Sequence, residues 1–136
     1  MRKELLLEAS ESNLEKAQAF FTEILEEIGA DSRTLFQTEL SVEEIFINIA
    51  HYAYPDGKGF VLLSGEIMKD PKGLKMEFVD QGIPFDPLAK DDPDTSLGAE
   101  ERSIGGLGIF MVKKNMDAME YRYEDGKNHL TMVKNV

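Results

Sequence analysis

A glutamate and an asparagine stand four residues apart in a stretch with helical periodicity, so both side chains are predicted on one helix face. Apolar residues recur in this stretch with the spacing of a helix that packs one stripe against a core: Val42, Ile45, Phe46, Ile49 and Ala53. Glu44 and Asn48 lie off that stripe, the carboxylate one turn before the amide. A carboxylate can take a proton from a hydroxyl, and an amide oxygen can ligate Mg²⁺. A solvated helix face is the plainer interpretation of the pair alone.

An aspartate closes a segment with the alternation of a β-strand. Every second residue from Leu74 to Phe78 is apolar, which predicts a strand with one buried face. Asp80 follows at the end of the strand, and Gly82 comes two residues later, where no side chain covers the backbone. An ionised aspartate can accept a hydrogen bond from an exocyclic amine such as that of adenine. An ordinary turn is the alternative interpretation.

Three glycines open the last predicted helix, in the segment Gly105-Gly106-Leu107-Gly108. Successive N–H groups of such a segment can face a common point, and the helix dipole adds positive potential, so phosphates bind at such places. No Gly-Lys-Ser/Thr follows and no strand immediately precedes the glycines, which excludes a Walker A loop and a Rossmann fingerprint. A simple junction between a loop and a helix is the alternative.

Length and charge limit the kind of protein. The chain of 136 residues predicts one domain over residues 1–136. Lysine and arginine number 15 against 26 acidic residues, for a net charge of −11, which disfavours nucleic acid and membrane as partners. The absence of cysteine excludes disulfides and thiolate metal sites. The apolar run near the N-terminus is too short for a signal peptide, so a cytoplasmic location is expected.

Periodicity and turn signals predict the order β-α-α-β-β-lid-α-β-β. The first helix begins with a capping box from Ser12 to Glu15 and ends at Gly29. Asp31 caps the second helix, which carries the glutamate and asparagine pair. Residues 86–103 have no periodicity, and a segment of that length inside a domain is typical of a lid.

In the last predicted helix the expected core contacts are Leu107, Phe110 and Met111.

The predicted connections indicate the fold class. Two closing strands follow, joined by a tight turn at Asp125-Gly126. Strand pairs joined by hairpins, with the helices grouped elsewhere, predict an α+β sandwich in which helices cover one face of a mainly antiparallel sheet.

Taken together and in this order, the three stretches resemble the N, G1 and G2 boxes of the GHKL ATP-binding superfamily. The short domain is most similar to the anti-sigma factor serine/threonine kinases, and the resemblance spans nearly the whole chain. It implies the GHKL (Bergerat) form of the two-layer sandwich, with ATP and Mg²⁺ as ligands. By the same resemblance Glu44 matches the catalytic acid and Asn48 the amide that binds Mg²⁺.

The resemblance also assigns residues to the nucleotide. It implies that the adenine side includes Asp80, Gly82, Pro84, Phe85 and a strand threonine, Thr131, and that the phosphate side includes Gly105, Gly106, Leu107 and Gly108. Residues 86–103 match the ATP lid, and Arg102 is a further phosphate-side candidate. Tyr52 occupies the position where the family frequently has histidine, and His51 is interpreted as a surface residue.

The activity implied by the resemblance is that of a protein kinase. Such a kinase phosphorylates a small anti-sigma-factor antagonist on serine or threonine and sequesters a sigma factor, and the resemblance allows a homodimer. The alternative is a regulatory module whose ATP state sets its affinity for a partner without turnover, and the residues alone leave both open.

Overall fold

Five antiparallel strands form one sheet in the order β1-β2-β3-β5-β4. The computed structural model describes residues 1–89 and 106–136. The elements are β1 (Arg2–Glu8), α1 (Leu14–Glu27), α2 (Ser32–Tyr52), β2 (Phe60–Met68), β3 (Gly73–Asp80), α3 (Gly106–Asn115), β4 (Ala118–Glu124) and β5 (Lys127–Asn135). This order of helices and strands is the predicted one, and the predicted α+β class is confirmed. Most of the predicted lid, residues 90–103, lies outside the described residues.

The start of α1 differs from the prediction. A short 3₁₀ helix, Glu11–Asn13, precedes α1, and its cap is Ser10, whose hydroxyl accepts the N–H of Ser12 at 3.4 Å. Asn13 is the N-cap of α1 and makes no capping bond with its side chain, which donates to the Glu8 carbonyl instead. The predicted capping box is therefore wrong, because the chain tightens into a 3₁₀ turn before the helix begins.

The second helix begins and ends as its sequence indicates. The Asp31 carboxylate accepts the N–H of Thr34 at 2.8 Å, which satisfies one of the free donors in the first turn. The helix ends at Tyr52, ahead of the turn that contains Pro55 and Gly57. The apolar stripe and the pair of Glu44 and Asn48 therefore lie on one continuous helix of 21 residues.

The hydrophobic core lies between the helices and one face of the sheet. Its largest fully buried side chains come from both layers: Phe21, Ile24, Leu25, Val42, Phe46, Val61, Leu63, Leu74, Met76, Phe78, Val112 and Met132. The third helix faces this core with Ile109 and Val112, and Met116 joins the core just after the helix ends. Met111 is 47% exposed, so its predicted core role is wrong. Alternate residues of each strand face the core, and the others lie on the uncovered face of the sheet.

Candidate nucleotide site

The glutamate and asparagine of α2 lie on one face of the helix, as their spacing predicts. The amide of Asn48 donates to the Glu44 carboxylate at 3.2 Å, and both residues are half-buried. Helix α3 approaches this pair so closely that a Cβ atom at Gly108 would overlap the carboxylate of Glu44. The structure thus brings the first and third sequence motifs into contact at the beginning of α3.

The Asn48 side chain retains one free oxygen for a ligand. Its Nδ2 is used by Glu44, and no donor among residues 1–89 and 106–136 reaches its Oδ1. The same residues contain no cluster of three or more acidic or histidine side chains that could hold a metal ion by themselves. This donor set fits Mg²⁺ that is held mainly by phosphate oxygens and water, since Mg²⁺ in nucleotide sites takes few protein ligands.

An apolar cavity separates α2 from the ends of β3 and β5. Its walls are mainly hydrophobic: Ile45, Ile49, Ala53, Phe78, Ile83, Phe85, Pro87 and Leu130. The polar side chains that line it are few, namely Asn48, Tyr52, Asp80, Tyr121 and Asn128. An apolar cavity with a small number of placed polar groups is the usual form of a small-molecule or cofactor site.

Asp80 presents one carboxylate oxygen that no described residue uses. Its Oδ1 accepts from the N–H of Gly82 at 2.9 Å and from the amide of Asn128 at 2.9 Å. No donor in the described part of the chain reaches Oδ2, so this oxygen can accept from an exocyclic amine in the cavity. Burial raises the pKa of the Asp80 carboxyl, and the hydrogen bonds from Asn128 and Gly82 oppose that shift because they favour the ionised form.

Gly82 has a packing role in addition to the predicted one. It is buried, and a Cβ there would overlap the backbone and side chain of Ala53 at the end of α2. The missing side chain therefore lets β3 and α2 pack together beside the cavity. The predicted approach of a ligand to the Gly82 backbone stays a prediction.

Thr131 does not reach the cavity, so its predicted place in the adenine pocket is wrong. It pairs with Glu77 across β3 and β5, and its hydroxyl donates to that carboxylate at 3.4 Å. Because successive strand residues point to opposite faces, Thr131 lies on the uncovered face of the sheet. The cavity side of β5 carries Asn128 and Leu130 instead.

Asn128 and Tyr121 are polar residues of this site that the sequence did not single out, and Asn128 is the more deeply buried. It is buried and lies opposite Asp80 in the register of β3 and β5. A sequence signal existed, because Asn128 shares the alternation of Leu130 and Met132, and an amide on a buried strand face needs specific partners.

The other predicted residues divide into three groups. Phe85 lines the cavity, whereas Pro84 lines a shallower cleft outside it. Gly106 begins α3, and the side chain of Leu107, together with Gly105 and Arg102, lies outside the described residues. His51 is exposed, as predicted, and pairs with Glu11.

The fold, a five-stranded antiparallel sheet covered on one face by helices, has the form of a GHKL-type ATP-binding domain. A model of the histidine kinase-like ATPase domain matches residues 7–134, and the chain belongs to that family. This confirms the resemblance seen in the sequence.

Two similar proteins refine the comparison. The serine/threonine-protein kinase BtrW of Bordetella bronchiseptica is 24% identical over 102 residues, which cover 75% of this chain and 71% of the relative. The solved structure of the RsbU and RsbW domains of Rv1364c from Mycobacterium tuberculosis has a TM-score of 0.68 at 17% identity over 99% of this chain. This chain spans 32% of that longer chain, and the likeness shows a shared fold.

Among residues 1–89 and 106–136, no helix has both the length and the apolar character needed to cross a membrane.

Proposed function

We propose that this domain is a protein serine/threonine kinase that transfers the γ-phosphoryl group of Mg·ATP to a small anti-sigma-factor antagonist and binds a sigma factor. The observation that carries the kinase proposal is the contact between Glu44, Asn48 and the beginning of α3, beside a cavity that both Asn48 and Asp80 line. The similarity to a named serine/threonine kinase supports the same activity. The two protein partners rest on family resemblance.

The adenine, the phosphates and Mg²⁺ each have a matching group in this arrangement. The adenine amine would meet Asp80 Oδ2 while the apolar walls cover the ring. The free N–H groups at the beginning of α3 would face the phosphates. Asn48 Oδ1 would ligate Mg²⁺, which when bound neutralises charge on the phosphates. Glu44 would orient or deprotonate the incoming hydroxyl.

The proposed roles of the α2 pair can be separated by substitution. Glu44→Gln keeps the shape of the side chain and removes its basicity, so ATP should still bind while transfer falls by about 10²–10⁴-fold. Asn48→Ala should weaken ATP binding in Mg²⁺ and change it little in EDTA, because it removes a metal ligand. Glu43→Gln is a matched control, since Glu43 is an exposed neighbour on the same helix.

The experiment combines calorimetric titration of ATP with transfer of labelled phosphate to proteins encoded by neighbouring genes. Mg·ATP should raise the melting temperature, because a ligand at a hundredfold excess over Kd adds about 2.7 kcal/mol to the unfolding free energy. Full transfer activity in Glu44→Gln would refute the role of that carboxylate. ATP-dependent partner binding with no transfer by the wild type would show a regulatory module without turnover.

A further inference from the structure

We propose that Asn128 is the positioning residue of the base site: its amide holds the Asp80 carboxylate with one oxygen toward the cavity and ties residues 83–85 to the sheet. This role rests on the proposed binding of ATP and adds to it the residue that orders the adenine contact.

The hydrogen bonds of Asn128 are fully used inside the protein. Its Nδ2 donates to Asp80 Oδ1 at 2.9 Å and to the Ile83 carbonyl at 2.8 Å. Its Oδ1 accepts from the Phe85 N–H at 3.1 Å and from the Tyr121 hydroxyl. An amide has two donors and room for two acceptor bonds, so nothing is left for a ligand. Asn128 therefore acts through its neighbours rather than by touching the nucleotide.

The first neighbour is the Asp80 carboxylate, which would accept a hydrogen bond from the adenine amine. Two donors converge on Asp80 Oδ1, one from β5 and one from the backbone of Gly82. This arrangement sets the orientation of the carboxylate and leaves Oδ2 for the cavity. Without Asn128, one backbone donor would remain, and the carboxylate could rotate.

The second neighbour is the segment that forms one wall of the cavity. Ile83 and Phe85 both line the cavity, and Asn128 holds a backbone group of each. The Ile83 N–H is also bonded to the Ala53 carbonyl at 2.9 Å, so this segment lies between the end of α2 and β5. Loss of Asn128 would remove two hydrogen bonds that hold this segment to β5 and leave the bond between Ile83 and the end of α2.

Several ionisable groups surround this cluster. His129 of β5 favours the ionised form of Asp80, and the hydroxyl of Tyr54, after α2, lies near the same carboxylate. Tyr121 of β4 interacts electrostatically with Asp86, Asp80 and Tyr123. From the side of α2 the cavity receives the neutral amide of Asn48. All of these groups are present in Asn128→Asp and in its control, and Tyr121→Phe lacks only the Tyr121 hydroxyl, so a difference between a variant and the wild type reports the changed residue.

Asn128→Asp makes the proposed role depend on pH. While the pair of carboxyl groups shares one proton, the new side chain can still donate to Asp80 Oδ1. When both groups are ionised the donor is lost and the two charges repel. ATP affinity should therefore be within about threefold of the wild type near pH 5.5 and at least about tenfold weaker near pH 8, since a hydrogen bond to a charged group is lost.

Two further variants complete the test. Asn135→Asp is the matched control, because it adds the same charge to an exposed position of the same strand, and its affinity should follow the wild type at every pH. Tyr121→Phe keeps the ring and removes the hydroxyl that donates a hydrogen bond to Asn128 Oδ1. The affinity for ATP should therefore fall by about three- to tenfold with no new pH dependence. This variant, on an edge strand, tests the role even if Asn128→Asp unfolds at high pH.

The measurements are calorimetric Mg·ATP titrations from about pH 5.5 to about pH 8, with a melting curve at each pH. An Asn128→Asp protein that is folded and binds ATP with the wild-type pH profile would overturn the role of Asn128, as would unchanged affinity in Tyr121→Phe. A wild type that fails to bind ATP would instead refute the proposed function, and this role with it.

Discussion

Gly108→Ala should abolish most of the phosphoryl transfer while leaving the fold intact. Gly108 is the third residue of α3, and a methyl group there would overlap the carboxylate of Glu44. The overlapped atoms are the far end of a flexible side chain, so we expect the carboxylate to swing away while both helices stay in place. The substitution thus displaces the proposed base without changing its chemistry.

The expected effect on stability is small because two contributions oppose each other. Alanine in place of glycine favours a helix by up to about 1 kcal/mol. Displacement of Glu44 breaks its bond from the Asn48 amide, which is half-buried and contributes about 0.5–1.5 kcal/mol. The unfolding free energy should therefore change by less than about 1 kcal/mol, or about 4 °C in Tm. The transfer rate should fall by about 10²–10⁴-fold, as for loss of a general base.

A double-mutant cycle measures whether the methyl group acts through Glu44. Single-turnover transfer rates are compared for Gly108→Ala, Glu44→Gln and the double variant, with calorimetric ATP affinity for each. If both substitutions remove the same carboxylate, the double variant should be no more than about threefold slower than Glu44→Gln.

Two results would refute this explanation. Wild-type transfer by Gly108→Ala would show that the carboxylate has no need of its observed position. Multiplicative losses in the double variant, with reduced ATP affinity, would show that alanine blocks the phosphates and acts independently of Glu44.

Three other substitutions have distinct expected outcomes. Gly82→Ala should lower the unfolding free energy by about 1–3 kcal/mol in urea, because its Cβ meets the backbone of Ala53, whereas Gly57→Ala, with open space at its Cβ, should change it little. Asp80→Asn should weaken ATP binding by about ten- to a hundredfold in calorimetry, with less effect on GTP. The same variant should have a higher Tm than the wild type at neutral pH. The pKa of Asp80 is raised in the folded protein, so the contribution of this carboxyl to stability falls as pH rises from the unfolded pKa through the folded one. The difference in Tm between the variant and the wild type should therefore shrink in acid. Thr131→Ala should leave ATP affinity unchanged, since Thr131 lies on the uncovered face of the sheet.

Much of the fold follows from local patterns. The helical period of α2 placed Glu44 and Asn48 on one face, and the alternation before Asp80 placed that carboxylate at the end of a buried strand. Both inferences depend on side-chain directions that repeat every 3.6 or every two residues, so neighbours in the sequence suffice to make them. The predicted cap of α1 was wrong because a 3₁₀ turn and a helical N-terminus use the same short polar residues.

Other features depend on residues far apart in the chain, and only the tertiary structure decided them. The sequence cannot show that Ala53 fills the space beside Gly82, or that Glu44 fills the space beside Gly108. It also favoured Thr131 by family pattern, whereas strand register and the position of the helices put Asn128 opposite Asp80 on the cavity side. A periodic pattern reports which residues share a face of one element, but the packing of α2, α3 and the sheet determines which faces meet.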